Sequence, residues 1–527
     1  METDTENTKF NASLSELQDR ISSLEATVSD LRNQLTLKEE RIQKLLRQLF
    51  GCSSERRVLS EQGCSEQLSL DLGEAPLPPS TTTESTTEVK GHKRCSSKLV
   101  VEGILESDGK YPAELPRVEE ILDEGEEAGQ IIFRKETERL EIEPPRLFVR
   151  KIIRIVRKND EGIISQPTVP EVITARSTVG PSFLAYIIVS KLLWHLPLNR
   201  QEQMLKQYGI KISRDRLIRY VIDVSKLLRP LYELLIKYIL EQRQVFADET
   251  PVLVGKRGES KSSYTKSYFW PLLGGNQIAV FYSADRRGAK VIEKLKKFCG
   301  FLQVDGYRVY EQVSGLNDQL RLVFCWAHAR RYFFDAEQHY PDIAKEALRY
   351  IQALYRVEAM CKRKKTNAEN TLRLRTRYSK RILVLFKVQL NMWALDRSIL
   401  PKSSLAIAIK YTLKRWQGLT IYTTDPILSI DSNAIERAIR YIALGRRNWM
   451  FCASEIGAEA LAILYSLVLS SKMCGLNPYE YLKDVLSRIA ELNQKDLHLL
   501  LPMNWKPLNR TTEQPDAQPF HRTCRVI

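Results

Sequence analysis

The first fifty residues carry a heptad repeat of hydrophobic positions. Ten of the eleven a and d positions from Leu14 to Leu49 are apolar, and the exception is Lys38. Apolar a and d positions sustained over several heptads, filled by leucine and β-branched residues, predict a coiled coil of few strands. We therefore expect residues 1–60 to be a leucine zipper through which the chain self-associates, although an amphipathic helix folded back on its own chain fits the same pattern. The predicted seam comprises Leu17, Ile21, Leu24, Val28, Leu31, Leu35, Ile42 and Leu45.

Polar and mixed segments follow the heptads. Residues 61–95 are predicted to be a flexible linker, because the stretch EAPLPPSTTTESTTEVK is rich in Pro, Ser and Thr and has no periodicity. Residues 96–175 alternate short strand-like runs with acidic turns and predict a small α+β region. Its run RLFVRKIIRIVRK sets Arg150, Lys151 and Arg154 among β-branched and aromatic residues. Such a run fits a strand that lies along DNA phosphates, and it fits a solvated edge strand equally well.

Helical periodicity dominates residues 176–240. The sequence RQEQMLKQYGIKISRDRLIRYVIDV predicts a helix, a turn at Gly209 and a second helix capped by Ser213. This pattern is typical of a helix-turn-helix motif, but any hairpin of two helices shares it.

Strand-like runs fill residues 241–335. Their order is three strands, a helix, a strand, a helix and a strand, which is the order of a ribonuclease-H-like α/β core. The first and fourth strands are neighbours in that core, so Asp248 and Asp305 can meet and hold a divalent metal. Mg²⁺ prefers oxygen ligands, and paired ions clamp the attacking and leaving oxygens of a phosphodiester. Alternatively, Asp248 caps a turn and Asp305 opens an Asp-Gly turn, and strand alternation predicts that Glu249 points to the opposite face.

A third carboxylate follows a long helical stretch. Residues 336–424 predict an all-α insertion, and residues 425–475 predict a second part of the core. In that part a stripe of three isoleucines runs beside Glu436, which can face the metals when the helix packs on the sheet. The spacing also permits an N-terminal capping box between Asn433 and Glu436. Residues 476–527 are expected to form a C-terminal tail.

Charge distribution points to a polyanionic partner. The net charge is +16, and residues 1–145 carry 18 basic against 30 acidic residues, so the basic surplus lies entirely downstream. The apolar stretches are too short or too interrupted for a membrane span, and the start lacks a secretory signal pattern, so we expect a cytoplasmic protein without a membrane partner. Nine cysteines without a C-x-x-C pair indicate neither a disulfide framework nor a four-cysteine zinc site.

Clustered basic residues near the carboxylates are candidates for phosphate contacts. In the insertion they are Lys362 to Lys365, Arg373, Arg375 and Arg377. Trp449 fits either a base-stacking role or the core. Cys325 and His328 lie three residues apart, but without a second pair they do not predict tetrahedral zinc. The candidates beside the carboxylates are Arg330, Arg331, Arg437, Arg440, Arg446 and Arg447.

These motifs together resemble those of the IS66 family of bacterial insertion-sequence transposases. The resemblance rests on ADET around Asp248, VDGY around Asp305, CWAHARR from Cys325, and SNAIERAIR through GRRNWMF. LFGCSSER after the zipper, HLPLNRQEQM, GAEALAILYSLVLSSKMCGLNPYEYLKDVL and LPMNWKP extend it over nearly the whole chain.

The resemblance implies a DDE transposase with Asp248, Asp305 and Glu436 as its metal-binding triad. It implies two Mg²⁺ ions, with Mn²⁺ as a substitute, double-stranded DNA at element ends and target sites, and accessory proteins of the same element. The family's zinc ribbon of two cysteine pairs is absent, because DEGEEAGQ and RKNDEG hold no cysteine, so zinc is not expected and residues 96–175 are a degenerate DNA-binding module. A structure-specific nuclease and a decayed or domesticated, non-catalytic DNA-binding protein are the alternatives.

Overall fold

The computed structural model of the chain describes residues 2–50, 147–149, 157–158, 164–165, 179–255 and 264–507. The chain divides into two compact units, one of residues 1–55 with 169–527 and the other of residues 56–168. In the second unit, strand β1 (Arg157–Lys158) pairs antiparallel with strand β2 (Ile164–Ser165). The predicted linker and the candidate phosphate contacts Arg150, Lys151 and Arg154 lie outside the described residues.

Helix α1 (Glu2–Phe50) carries the heptad repeat. Its described seam side chains are exposed, from 45% at Val28 to 62% at Leu24, so the seam does not pack on the rest of the described chain. The side chain of Leu17 lies outside the described residues. Only one face near the end is covered: Glu40 is buried, and its carboxylate accepts the backbone N–H of Ser404 at 2.8 Å. The fold-back alternative therefore has no support from the exposed seam.

A six-stranded mixed sheet forms the centre of the first unit. Strand β5 pairs antiparallel with β6 on one edge and with both β3 and β4 on the other, and β3 pairs parallel with β7, which pairs parallel with β8. The predicted neighbours, the first and fourth strands, are therefore side by side as β3 and β7. The strands are β3 (Gln244–Ala247), β4 (Thr250–Gly255), β5 (Tyr264–Gly274), β6 (Gln277–Ser283), β7 (Gly300–Val304) and β8 (Leu320–Phe324).

The predicted first strand is interrupted at Asp248 and Glu249, which separate β3 from β4. Ala247 lies opposite Leu272 and Thr250 opposite Phe269, three residues further along each strand, so the register continues across the interruption. The two acidic residues thus directly follow β3, at the end of the sheet where the parallel strand β7 also ends.

Helices before the sheet include the predicted helix-turn-helix. Gly209 has φ +75° in the turn, and the Ser213 hydroxyl accepts the N–H of Arg216, so the predicted turn and cap are confirmed. The second helix buries one face in the core against the later helix Glu455–Met473 and against β6, which favours an ordinary helical hairpin over an exposed recognition helix. These helices are α2 (Pro181–Leu192), α3 (Leu198–Gln207) and α4 (Arg214–Leu240).

Further helices connect the later strands and build the insertion. Those between the strands are α5 (Ala289–Leu295) and α6 (Arg308–Ser314), and α7 (Trp326–Ala336) follows β8. The insertion contains α8 (Pro341–Arg363), α9 (Ala368–Leu374), α10 (Lys380–Leu395), α11 (Ser404–Lys414) and α12 (Trp416–Thr420), with a π-helical turn at Arg375–Ser379 and a 3₁₀ turn at Ile421–Thr423. The remaining helices are α13 (Asn433–Trp449), α14 (Glu455–Met473), α15 (Pro478–Arg488) and the 3₁₀ turn Leu497–Leu500.

Helix α14 is apolar but contains serines, and it packs on the sheet next to β6. By length and composition it is the one helix in the described part of the chain that could cross a bilayer, but most of it is buried inside the protein. The hydroxyls of Ser466 and Ser470 accept the backbone N–H groups of Val280 and Ile278 on β6 at 2.8 and 2.9 Å. Because β6 pairs only with β5 in the described part of the chain, these bonds satisfy edge groups that would otherwise be buried unpaired. Helix α14 is thus a core helix of this sheet.

Candidate active site

Three carboxylates meet where β3 and β7 end. Asp248 follows β3 and Asp305 follows β7, and because the two strands are parallel their carboxyl ends lie at the same edge. Carboxylate oxygens of Asp248, Glu249 and Asp305 all lie within 4.8 Å of one another. The structure therefore brings together the two predicted aspartates and adds Glu249, which was expected on the opposite face. That expectation was wrong, because strand alternation does not hold at the interruption between β3 and β4.

Asp305 is held by its own turn and by the helical insertion. Its carboxylate accepts the backbone N–H of Tyr307 at 2.8 Å, and its carbonyl accepts the Tyr411 hydroxyl at 2.5 Å. Arg415 donates to the carbonyl of Gly306 at 2.9 Å, and Gly306 has φ +100°. A side chain at Gly306 would meet the Arg415 guanidinium at 2.5 Å, so glycine is needed both for the backbone angle and for the space. The Asp-Gly turn and the site are thus the same feature.

Glu249 differs from the two aspartates because it has a cationic partner. Arg286 donates to its Oε1 atom through Nη2 at 2.6 Å and through Nε at 3.2 Å. The guanidinium also lies over the Tyr307 ring, 4.3 Å from its centroid. Burial raises the pKa of Glu249, and the hydrogen bond from Arg286 opposes that rise. Arg286 thus pairs with one oxygen of Glu249, while the other, Oε2, is buried without a hydrogen-bond partner among the described residues.

Asp248 is the member of the cluster whose charged form is strongly disfavoured in the metal-free protein. Burial, and after it the neighbouring Asp305 carboxylate, raises the pKa of Asp248 to about 8. Carboxylates forced together in a partly desolvated place are costly without a cation, and hard divalent cations prefer such oxygen ligands. Asp248 and Asp305 therefore fit a divalent metal ion as ligands.

Glu436 lies near this cluster but belongs to a neighbouring group. It is in the first turn of α13, and its charge contributes to the raised pKa of Asp248. Its carboxylate lies within 4.8 Å of the Cys325 sulfur and a ring nitrogen of His328. The predicted isoleucine stripe of the same helix is buried, as expected: Ile435, Ile439 and Ile442.

The contacts of Glu436 at the start of α13 differ from the predicted capping box. The residue that precedes α13 is Ser432, whose hydroxyl donates to Glu436 Oε1 at 3.4 Å. The Asn433 side chain instead donates to Asp431 at 2.7 Å. The predicted box between Asn433 and Glu436 is therefore wrong, because the helix begins at Asn433 and the side chain of Asn433 is bonded to the preceding loop.

The predicted phosphate contacts divide into exposed and buried groups. Arg446 is half-buried and donates to the Thr250 hydroxyl at 2.6 Å and to the Pro251 carbonyl at 2.5 Å, so it ties α13 to β4. Arg330 is half-buried and lies over the Phe334 ring. The side chains on the surface are Arg331, Arg437, Arg440 and Arg447.

Two further predictions near the site concern residues that are buried. Arg375, predicted on a DNA-facing surface of the insertion, is 3% exposed and donates to both carboxylate oxygens of Glu358 at 2.9 and 2.7 Å. The surface prediction was wrong for this residue, because its guanidinium also donates to the backbone carbonyls of Tyr422, Asp425 and Leu428, at and just after the end of the insertion. Trp449 is buried in the core, which is the alternative to base stacking.

Arg286 and Arg415 were missed by the sequence reasoning. Each contacts the site from another element: Arg286, in the loop after β6, bonds the Glu249 carboxylate, and Arg415, after the end of α11, bonds the carbonyl of Gly306 next to Asp305. Neither lies near its partner in sequence, so no spacing rule indicates the contact. The one available signal was general: a predicted acidic cluster needs basic partners, but the sequence does not indicate which basic residues these are.

A mixed α/β sheet with an acidic cluster at its strand ends, surrounded by many helices, is consistent with a transposase domain. Residues 176–460 match the family described as Transposase IS66 family, and residues 466–503 match the IS66 C-terminal element. Residues 38–119 match a region described as Transposase C of IS166 homeodomain. The chain belongs to the IS66 family of transposases.

Relatives from Sinorhizobium fredii share most of this chain. The uncharacterized protein y4jD is 32% identical over 525 residues, which cover 93% of this chain and 97% of the relative. The uncharacterized protein y4hP is 30% identical and covers 90% of this chain and 89% of its own length. The uncharacterized protein y4qI is 32% identical over 75% of this chain and 77% of its own length. The chain is thus similar to these proteins over three quarters or more of its length.

Proposed function

We propose that the chain is a DDE transposase that cuts DNA at the ends of a bacterial insertion sequence and joins them to target DNA. The observation that carries the proposal is the meeting of Asp248 with Asp305 at the ends of two adjacent parallel strands. The strand order across the sheet supports a ribonuclease-H-like core: β6 is next to β5, both β3 and β4 follow on the other side of β5, and β7 and then β8 follow β3. Family membership agrees with this reaction class.

Asp248, Asp305 and Glu436 are the residues that would hold the metal ions, which we take to be two Mg²⁺, with Mn²⁺ as a substitute. Bound there, divalent cations supply Lewis-acid activation of a water or 3′-hydroxyl and stabilise the leaving oxygen of a phosphodiester. Asp305 is oriented for this role by Tyr411 and by the Tyr307 N–H. We favour Glu436 over Glu249 as the third ligand, because the Oε1 atom of Glu249 is already bonded to Arg286.

The test is cleavage and joining of labelled DNA that carries the element's own ends, with Mg²⁺ or with EDTA. We expect Asp248→Asn, Asp305→Asn and Glu436→Gln each to abolish metal-dependent nicking while DNA binding remains. Asp318→Asn, in an exposed turn, is the matched control and should cleave normally. Wild-type cleavage by the Glu436→Gln variant would remove Glu436 from the triad. Hydrolysis without joined products would favour the nuclease alternative, and binding without hydrolysis would favour the decayed, non-catalytic alternative.

DNA binding is proposed for the exposed arginines around α13. Arg437, Arg440 and Arg447 are exposed on α13, the helix that carries Glu436, and their positive charges suit the phosphates of DNA. Each phosphate contact releases counterions, so the slope of log affinity against log salt should fall by about 1 for each arginine lost. The double variant Arg437→Ala with Arg440→Ala should therefore weaken binding to all sequences and flatten the salt dependence. An unchanged slope would place the DNA elsewhere.

Self-association is proposed through α1. Its apolar seam is exposed along the helix, and the heptad spacing matches that of a second copy of the same helix. Burial of these side chains between two helices is favourable by about 25 cal/mol per Å² of apolar surface. The accessory proteins expected from the family resemblance remain a prediction about the element as a whole.

A further inference from the structure

A second group of ligand atoms lies beside the acidic cluster, and its chemistry is different. The sulfur of Cys325, a ring nitrogen of His328 and a carboxylate oxygen of Glu436 lie within 4.8 Å of one another. Cys325 immediately precedes α7, His328 is in the first turn of that helix, and Glu436 is in the first turn of α13. Over a hundred residues separate Glu436 from the other two. The fold therefore adds a third possible ligand, Glu436, to the Cys325–His328 pair.

We propose that Cys325, His328 and Glu436 bind a borderline-soft divalent cation, for which Zn²⁺ is the best match. Thiolate, imidazole and carboxylate are the side chains that bind zinc, whereas sulfur and ring nitrogen are poor ligands for Mg²⁺. Zinc bonds of about 2.0–2.3 Å put the sulfur, nitrogen and oxygen ligands of a tetrahedral site about 3.3–3.6 Å apart, so binding contracts this group by up to about 1.5 Å. Three protein ligands leave a fourth position for water.

Two features of the surroundings favour a ligand role. The Nδ1 atom of His328 is shielded from solvent and has no hydrogen-bond partner within the described part of the chain. Ser432 orients both of the other groups: its backbone N–H donates to the Cys325 sulfur at 3.2 Å, and its hydroxyl donates to Glu436. Hydrogen bonds of this kind hold metal ligands in place and stabilise their charged forms. The polar groups are thus already arranged around the position that a cation would take.

Binding has a defined proton balance and a consequence for the acidic cluster. The cation replaces the Cys325 thiol proton, which passes to solvent, so one ion bound releases one proton. The cation also holds Glu436 with Cys325 and His328. If Glu436 is the third catalytic carboxylate, a consequence that rests on the proposed function, zinc should then inhibit Mg²⁺-dependent cleavage. The Cys325→Ser variant should need at least about tenfold more zinc for the same inhibition.

The direct test uses Co²⁺ as a spectroscopic probe for the metal-stripped, reduced, full-length protein. We expect a thiolate-to-cobalt absorption band that Zn²⁺ abolishes by displacement. The band should be lost in Cys325→Ser, and cobalt affinity should fall by at least about tenfold in His328→Ala. Cys361→Ser changes another buried cysteine, in α8, and Asp248→Asn changes the acidic cluster; both should keep the band. Circular dichroism checks that every variant is folded.

Two results would overturn the inference. One is a wild-type protein without a thiolate band at saturating Co²⁺, and the other is a band of unchanged strength in folded Cys325→Ser. Neither readout involves DNA cleavage. Cleavage that depends on Asp248, found together with no cobalt band, removes the zinc site and leaves the proposed function intact. A cobalt band in a protein that never cleaves DNA supports the zinc site and removes the proposed function.

Discussion

The acidic cluster should destabilise the metal-free protein, and replacing Asp248 with Asn should reveal this. The pKa of Asp248 is raised to about 8, mainly by burial and then by the Asp305 charge. In the unfolded chain an aspartate has a pKa of about 4. Between pH 4 and pH 8 the folded state therefore keeps a proton that the unfolded state has released. Stability contributed at this position is present below pH 4 and is lost as the pH rises toward 8.

The size of the effect follows from the pKa difference. Each pKa unit corresponds to about 1.36 kcal/mol, so the full shift sets an upper limit of about 5 kcal/mol at pH 8. The Asp248 side chain is partly exposed, and water screens part of the penalty. We therefore expect Asp248→Asn to stabilise the metal-free protein by about 2 kcal/mol at pH 8, which is roughly 2–5 °C in melting temperature for a chain of this size. Near pH 4 the gain should vanish.

Scanning calorimetry in EDTA across pH 4.5 to 8.5 measures this difference, with the exposed-turn variant Asp318→Asn as the control for loss of one surface charge. Added Mg²⁺ should reverse the order, because it binds and stabilises the wild type while Asp248→Asn has lost a ligand. A melting difference that does not depend on pH would refute the argument. So would an Asp248→Asn variant that is less stable than the wild type at pH 8 in EDTA.

Three further predictions concern other parts of the chain. Leu24→Asp with Leu31→Asp should shift the oligomer toward monomer in sedimentation experiments, and the melting of the remaining unit should change little because both side chains are exposed there. Arg375→Met should lower the free energy of unfolding by about 3–5 kcal/mol, since it leaves the half-buried Glu358 carboxylate and three backbone carbonyls without their donor, whereas the exposed neighbour Arg377→Met should cost little in urea titrations. Gly306→Ala should reduce cleavage by about tenfold or more at near-normal DNA affinity, because it moves the Asp305 turn, and normal cleavage would show that the turn tolerates the change.

The strand order and the meeting of Asp248 with Asp305 could be predicted from sequence because they depend on local patterns. Runs of β-branched and aromatic residues define each strand, and the order of strands and helices leaves few arrangements of the sheet. The heptads of α1 are equally local. Glu249 shows where such reasoning ends: alternation assumes a regular strand, and the interruption between β3 and β4 is a property of the folded sheet.

Arg375 shows a second limit of pattern reasoning. It lies in a basic stretch that looks like a solvated surface, yet its partner Glu358 is on the preceding long helix, 17 residues away. The π-helical turn that begins at Arg375 shifts the phase of the following side chains, so a regular helical period misplaces them. Burial of a charge depends on such pairings, and spacing alone does not reveal them.

The helical insertion is part of the frame of the candidate site. Tyr411 and Arg415, both from the insertion, bond the backbone of Asp305 and Gly306. The buried Trp326 donates its indole N–H to the carbonyl of Leu419 at 2.7 Å, which joins the start of α7 to α12. Because α7 begins next to Cys325, the insertion also fixes one side of the Cys–His–Glu group. The insertion therefore contacts both ligand groups, at the Asp305 turn and at the start of α7.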